Sequence, residues 1–272
     1  MKCYLSHSLD DDVRFKASSG GFCKEFIRFF IENKIVDKAI ITVLGNDNES
    51  LIPKTIITND IEKIISTKSN TIYGRTNPLG VLRSLNKDES YIFVGLPCHI
   101  KAVKKYCADK DIRVFTVSLF CNHTPDKDSY YKSILEKVNL TRADVKHFEY
   151  RGSGWPGSVR IVMNNNREIK LDHTVCWANY KRNYLKLMSK CKKCTDFIAD
   201  NADVCVGDAW LNRIKNVDKK GTCIVLTMNP IADKCIKSCH IKGYISLEML
   251  ENSEFAAYHQ TMTDYKIARM IA

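Results

Sequence analysis

Cys191 and Cys194 form a Cys-x-x-Cys pair, a spacing that lets two thiolates reach one metal centre or close a redox disulfide. A thioredoxin-type dithiol sits just after a strand and opens a helix. Here the pair follows a helix-like stretch and precedes Thr195-Asp196, so the metal reading leads. A zinc ribbon brings a second closely spaced pair, whereas the other candidates, Cys98 and Cys121, stand far apart, each at the end of an apolar run. Ligands from separate segments suit an iron–sulfur cube, and Lys192 and Lys193 offset the negative charge of four thiolates. Zinc stays open on ligand type, because it too favours four thiolates. Cys205, in Ala202-Asp203-Val204-Cys205-Val206-Gly207-Asp208, is either a substitute ligand or a buried strand cysteine.

A second candidate lies near the N-terminus. Ser18-Ser19-Gly20-Gly21 presents backbone N–H groups at a helix start, with Arg14 and Lys16 upstream, an arrangement able to cradle a phosphate or a flavin edge. Its plain alternative is an ordinary helix cap. The turn is not Gly-x-Gly-x-x-Gly and no strand leads into it, which argues against a Rossmann site. His99 and His123, each beside a candidate ligand cysteine, are either proton relays or packed side chains. No Ser-His-Asp order or paired-carboxylate signature stands out.

The elements that must hold these residues can be sketched from periodicity. Phe22, Phe26, Phe29 and Phe30 fall on one helical face. Extended segments follow at Asp37 to Leu44 and Thr55 to Thr58, then helix-like stretches from Asp60 and from about Pro78. A strand at Tyr91 to Val94 leads through Gly95-Leu96-Pro97-Cys98 into a helix from about His99 to Tyr106. A second strand, Ile112 to Leu119, ends at Phe120-Cys121-Asn122-His123. Two such strands around a helix make a parallel β-α-β unit, whose ligands sit beyond the carboxyl ends of the strands. After a polar helix from Asp126 to Lys137, residues Lys146 to Leu171 alternate and turn at Gly154 to Gly157 and at Asn164 to Asn166, as antiparallel strands do. A helix before Cys191, a cysteine loop, a strand at Cys223 to Met228 and an amphipathic helix from about Ser246 complete the chain. The expected fold is α/β: a mixed sheet with a parallel β-α-β core and flanking helices, plus a smaller antiparallel and cysteine-loop region. The expected division is an α/β core over 1–150, whose N-terminal turn is the candidate for a flavin, with 151–272 continuing the same unit through the cysteine loop and the C-terminal helix.

Composition bounds the partners. The 272 residues are 44% hydrophobic and 27% charged, which is globular. No apolar run approaches the ~20 residues of a membrane span. The N-terminus soon meets Asp10-Asp11-Asp12 and lacks the pattern of a signal peptide, so the expected compartment is the cytoplasm. Thiols there stay reduced, and metal or redox chemistry becomes the leading use for some of the 12 cysteines. Cys107, Cys176, Cys223, Cys235 and Cys239 have no close partners and read as inert. A net charge of +11 favours acidic partners: phosphorylated cofactors, an acidic electron carrier, nucleic acid or a membrane surface. The charge is not blocked and no RNA-recognition or zinc-finger motif accompanies it, so nucleic acid is not expected.

At these residues the chain resembles the beta-subunit family of coenzyme F420 hydrogenases and dehydrogenases, which includes formate dehydrogenase beta subunits and hydroxymethyl-chlorophyll reductase. The likeness runs nearly end to end. It rests on Arg14 with Ser18-Ser19-Gly20-Gly21, on Gly95-Leu96-Pro97-Cys98, on Cys121, on Arg151 with Gly154-Trp155, and on Cys191-x-x-Cys194 with Asp196, Ala202-Asp203 and Gly207-Asp208. The resemblance implies an oxidoreductase or electron-input subunit with FAD and a [4Fe–4S] cluster. Arg14, Ser18, Ser19, Gly20, Gly21, Gly95 and Pro97 would then serve the flavin, and Cys98, Cys121, Cys191 and Cys194 the cluster. It further implies a hydride donor or acceptor, coenzyme F420 in some members, and a ferredoxin-like or other redox protein as partner. The chain departs from the family where Leu96 and His99 replace parts of Gly-Thr-Pro-Cys-Gln, and where Cys121-Asn122-His123 replaces Cys-His-Gly. It is also expected to lack the N-terminal ferredoxin-like domain of many members. A zinc-stabilised, non-enzymatic binding protein on the same fold is the rival.

Overall fold

Ile40, Ile92, Val117, Val206 and Val225 sit in nearly continuous apolar runs, the pattern of strands covered on both faces. In the computed structural model, which describes residues 1–45, 53–126, 128–183 and 186–271, these runs are neighbours in one eight-stranded sheet. The first half of the chain provides β1 (Lys2–Ser6), α1 (Asp11–Lys16), α2 (Phe22–Glu32), β2 (Lys38–Leu44), β3 (Pro53–Thr58), α3 (Ile61–Ile65), β4 (Ser90–Gly95), α4 (Pro97–Asp109), β5 (Arg113–Leu119) and α5 (Ser129–Lys137). Then come β6 (Val145–Gly152), β7 (Ser158–Met163), β8 (Glu168–Asp172), α6 (His173–Asn183), β9 (Val204–Asp208), α7 (Asn212–Lys215), β10 (Cys223–Thr227), α8 (Pro230–Ile241), β11 (Glu248–Met249) and α9 (Asn252–Ile271).

The large sheet runs β11-β1-β10-β9-β5-β4-β2-β3. Its centre is parallel, with β2 beside β4, β4 beside β5 and β5 beside β9. Its two edges are antiparallel. The mixed α/β architecture expected from the sequence is the one observed, including the β4-α4-β5 unit and a separate antiparallel sheet, β6-β7-β8.

Each face of the large sheet carries its own core. On one, the α2 rings Phe22, Phe26, Phe29 and Phe30 are buried, and Phe30 meets Phe115 of β5 at 4.7 Å between centroids. On the other, α4 buries Ile100 and Val103, while α9 contributes Phe255 and Tyr258. Each fully buried aliphatic or aromatic side chain contributes about 1.5–3 kcal/mol, so a sheet covered on both faces rigidly fixes the strand ends that carry the cysteines.

Several expected elements take another form. From Pro78 the chain makes turns and a single 3₁₀ turn, Leu82–Ser84, and forms no α-helix; Gly80 and the polar run Asn86-Lys87-Asp88 offer no sustained apolar stripe. The C-terminal helix starts at Asn252, after the two-residue strand β11. Strand β1 and helix α8 have no counterpart in the sequence reading. β1 pairs Lys2 with Thr227 through Ser6 with Cys223, so its stabilising partner lies at the far end of the chain and leaves no local signal.

Candidate functional site

Helix α4 starts where a proline at its first turn fixes φ without wasting an N–H group. Its entry is tight: a Cβ on Gly95 would stand 2.5 Å from the Phe93 ring, so this backbone approach requires glycine. His99 Nδ1 accepts the Leu96 N–H at 3.2 Å, which caps the helix with an imidazole. Burial, with help from Lys190, pushes His99 down to about 4, in keeping with a neutral acceptor ring. Cys98 is exposed on this first turn, with the helix dipole favouring negative charge there.

Cys121 is delivered by the carboxyl end of β5. Phe120 N–H donates to Val206 O at 2.8 Å and Cys121 N–H to Phe197 O at 3.0 Å. A Cβ on Gly207 would fall 2.1 Å from the Phe120 ring, so the glycine of the Gly207-Asp208 motif makes room for the ring that precedes the ligand cysteine. Burial pushes the Cys121 thiol up to about 11, with Lys266 acting in the opposite direction. Lys266 is itself buried, and its ammonium donates to Cys121 O at 2.8 Å and to Asp196 O, tying α9 to both cysteine segments. His123 adopts φ 142°, a backbone region rare for a side-chain-bearing residue, where the chain leaves β5.

Cys191 lies on a short 3₁₀ helix, Ser189–Lys193, and Cys194 is its C-cap. The Cys194 N–H donates to Cys191 O at 3.2 Å, which curls the pair into a single turn. All four cysteines, with Leu96, Pro97, His99, His123, Met188 and Lys190, line one cavity. Gly74, Arg75 and Thr76 close another side. Among the described residues no three His, Cys, Asp or Glu side chains form a single-ion site. Thiolates spread around a chamber, each able to bind a different iron, are the donor set that a polynuclear cluster needs. Cys205 is fully buried in β9, donates its S–H to Ala199 O at 3.3 Å and is not part of the lining.

The N-terminal turn is built differently. Gly20 and Gly21 take φ of 72° and 77°, and Gly21 caps α2. The turn is knitted to the rest of the chain: Ser8 N–H donates to Gly20 O at 2.7 Å, Cys223 S–H to Ser19 O at 2.7 Å, and Arg14 Nε to Gly221 O at 3.0 Å. A Cβ on Gly20 would stand 2.5 Å from Gly221 O, so a valine there would strain the fold before it met any ligand. Ser18 Oγ accepts the Thr71 N–H at 2.8 Å, three residues before the loop that borders the cysteine cavity. Of the expected flavin residues, Pro97 alone lines that cavity; Arg14, Ser18, Ser19, Gly20, Gly21 and Gly95 do not.

Next to this turn lies a buried ion pair that the sequence reading used only as a motif. Arg151 Nη1 donates to Asp208 at 2.6 Å, its Nε to Pro156 O at 2.7 Å, and its backbone oxygen accepts from Ser18 Oγ and from Asn70 Nδ2. Trp210 Nε1 also donates to Asp208, at 3.1 Å. Among the described residues, Arg151 Nη2 and Trp155 Nε1 are buried donors with no hydrogen-bond acceptor. Asp203, the other motif carboxylate, is structural: it accepts from the Thr116 N–H and hydroxyl and from Asn229, joining β5 to the start of β9.

His173 supplies a pH test of this region. Buried against Tyr73 and Trp177, close to Tyr130, Arg151 and Asp172, it is held down to about 3 by burial first and by Arg151 second. Between about 3 and 6.5 the unfolded chain binds a proton that the native His173 does not, so stability falls as pH drops through that window, by about 1.4 kcal/mol per unit. His173→Phe keeps the stacking and should flatten the decline by that amount in urea titrations at pH 6.5 and 5. Equal slopes in the two proteins would rule His173 out as its source.

The family model described as coenzyme F420 hydrogenase/dehydrogenase, beta subunit N-term, matches residues 3–83, and its C-terminus counterpart matches residues 88–253. An uncharacterised protein of Methanocaldococcus jannaschii is 26% identical over 255 residues, 89% of this chain and 85% of that one. A coenzyme F420-dependent sulfite reductase of the same organism is 23% identical over 87% of this chain, which spans only 37% of that enzyme. Among solved structures, a chain of the xenon-derivatised F420-reducing [NiFe] hydrogenase complex from Methanosarcina barkeri superposes with a TM-score of 0.73 at 19% identity. That match covers 99% of this chain and 89% of the other and shows the shared fold.

Proposed function

The chain belongs to the coenzyme F420 hydrogenase/dehydrogenase beta subunit family, and from that premise we propose that it is a flavin- and [4Fe–4S]-dependent oxidoreductase or the electron-input subunit of one. The observation that carries the reading is the meeting of Cys98, Cys121, Cys191 and Cys194 in one cavity although they come from three separate segments. These four side chains would hold the cluster. The α4 N-terminus and Lys190 favour the negative charge of thiolates there, and Leu96, Pro97 and Met188 limit water. Lys266 fixes the backbone of the Cys121 and Asp196 segments from behind.

FAD would sit near the Ser18 to Gly21 turn. Support comes from the two donors left unspent beside it, Arg151 Nη2 and Trp155 Nε1, which suit carbonyl or phosphate oxygens. FAD supplies the exchange between two-electron hydride chemistry and one-electron transfer. Arg151 holds the turn by its backbone, and the turn in turn holds the 71–76 loop at the cavity edge. The physiological donor or acceptor is a hydride carrier, with coenzyme F420 the first choice from the family, and the final electron partner a separate redox protein. Among the described residues no helix is long and apolar enough to cross a membrane.

Anaerobic purification should give a yellow-brown protein with flavin and iron in the eluate. Mixing it with reduced F420 should bleach the flavin band. A colourless zinc protein would favour the non-enzymatic alternative, and bleaching by another small donor but not by F420H2 would remove only the F420 assignment.

A further inference from the structure

The segment that leads into and carries the Cys191–Cys194 pair is strongly basic, and its Lys190 lines the cysteine cavity. Between Lys181 and Cys194 the chain carries Lys181, Arg182, Lys186, Lys190, Lys192 and Lys193 and no Asp or Glu. All but Lys181 are exposed, and among the described residues none of the six is in an ion pair. Arg75 adds a further exposed cation to the cavity lining. The nearby carboxylate Asp196 is engaged by Lys101 at 2.7 Å and does not neutralise the rim. A partly exposed aromatic accompanies the cations: α9 packs on the Ser189–Lys193 turn, and its Tyr265 remains 37% exposed. Lys181 Nζ donates to the Tyr265 hydroxyl at 2.7 Å, so the ring is held beside the basic segment. Cys98, on the cavity wall, is the exposed member of the cysteine set.

We propose that this face docks a small acidic one-electron carrier protein, its carboxylates against the basic Lys181 to Lys193 segment and its apolar contact on the Tyr265 ring. The inference rests on the redox reading above and identifies the partner of that same site. A cluster of cations outside any ion pair speeds encounter with an anionic surface, and the affinity it provides falls with salt. An exposed aromatic residue beside the cations fits a protein interface, in which tyrosine is enriched. Nucleic acid would be bound by charge alone, and the motifs that read bases are missing from the sequence. Lys190 of this segment lines the same cavity as Cys98, so docking here brings the carrier next to the cysteine site.

The test uses the full chain after anaerobic reconstitution, with iron content and visible spectrum recorded for every sample. Binding is measured by biolayer interferometry against an acidic two-cluster bacterial ferredoxin, with basic cytochrome c and a single-stranded oligonucleotide as comparators. The ferredoxin should bind, and its Kd should rise about tenfold or more between low and high salt. Arg182→Glu with Lys186→Glu, which leaves the residues flanking the cysteines untouched, should weaken binding about tenfold. Lys54→Glu with Lys234→Glu, an equal charge change on β3 and α8, should stay within about twofold. Unchanged ferredoxin affinity in an iron-replete Arg182→Glu/Lys186→Glu protein would overturn the proposal, as would tighter binding of the oligonucleotide or cytochrome c. A wild-type sample that takes up no iron counts against the redox reading instead, whatever the binding shows.

Discussion

Cys98→Ala is expected to drop bound iron from about four atoms per chain to well below one, and Cys121→Ala, Cys191→Ala and Cys194→Ala should each do the same. The argument is one of donor number. The four sulfurs line one cavity, and among the described cysteines no fifth lines it, so a lost thiolate has no substitute. Cys98 is the sharpest case because it is exposed on the first turn of α4, where alanine is an excellent helix residue and disturbs no packing. Two controls separate this from general damage. Cys107→Ala removes a buried core thiol on the far end of the same helix, and Cys205→Ala removes the fully buried β9 thiol bonded to Ala199. Both should cost about 1–2 kcal/mol of stability from lost packing and leave iron unchanged. Iron quantification and electron paramagnetic resonance on the folded variants provide the answer. A cluster that survives Cys98→Ala and disappears in Cys205→Ala would replace the proposed ligand set.

The second large effect concerns stability. Arg151 is 3% exposed and its charge is balanced by Asp208, so Arg151→Met should destabilise the fold by about 3 kcal/mol, because removing one partner strands the other in a desolvated site. The loss should fall at the low end of the usual range, since Asp208 keeps its bond from Trp210 and is partly open to solvent. Adding Asp208→Asn to Arg151→Met removes the stranded charge and should recover part of the loss. Urea midpoints of the two single variants and the double variant measure this coupling. A change under about 1 kcal/mol in Arg151→Met would mean that the pair is not a structural support, and that the turn at Ser18 is held by its other contacts.

How much of this was legible in advance depended on the distance over which each feature is determined. The α2 aromatics, the β4-α4-β5 unit and the β6-β7-β8 turns follow from periodicity and from glycine, proline and asparagine chemistry within a few residues, and each formed where the sequence indicated. The identity of the four candidate thiols was also local: Cys-x-x-Cys and the two strand ends are visible without a fold. What no short stretch of sequence contains is their convergence, which exists only because β4, β5 and β9 run side by side and parallel at the centre of the mixed sheet while α9 returns to clamp the cysteine segments through Lys266. Strand β1 escaped detection for the same reason, its partners lying more than two hundred residues away. The turn at Ser18 to Gly21 shows the limit most clearly. Its left-handed glycines were readable, but only tertiary structure revealed that Ser8, Cys223 and Thr71 donate to its polar groups. Types and spacing of residues determine which chemistry is available; packing of distant segments decides which of those residues meet, because close approach depends on backbone contacts that no short stretch of sequence encodes.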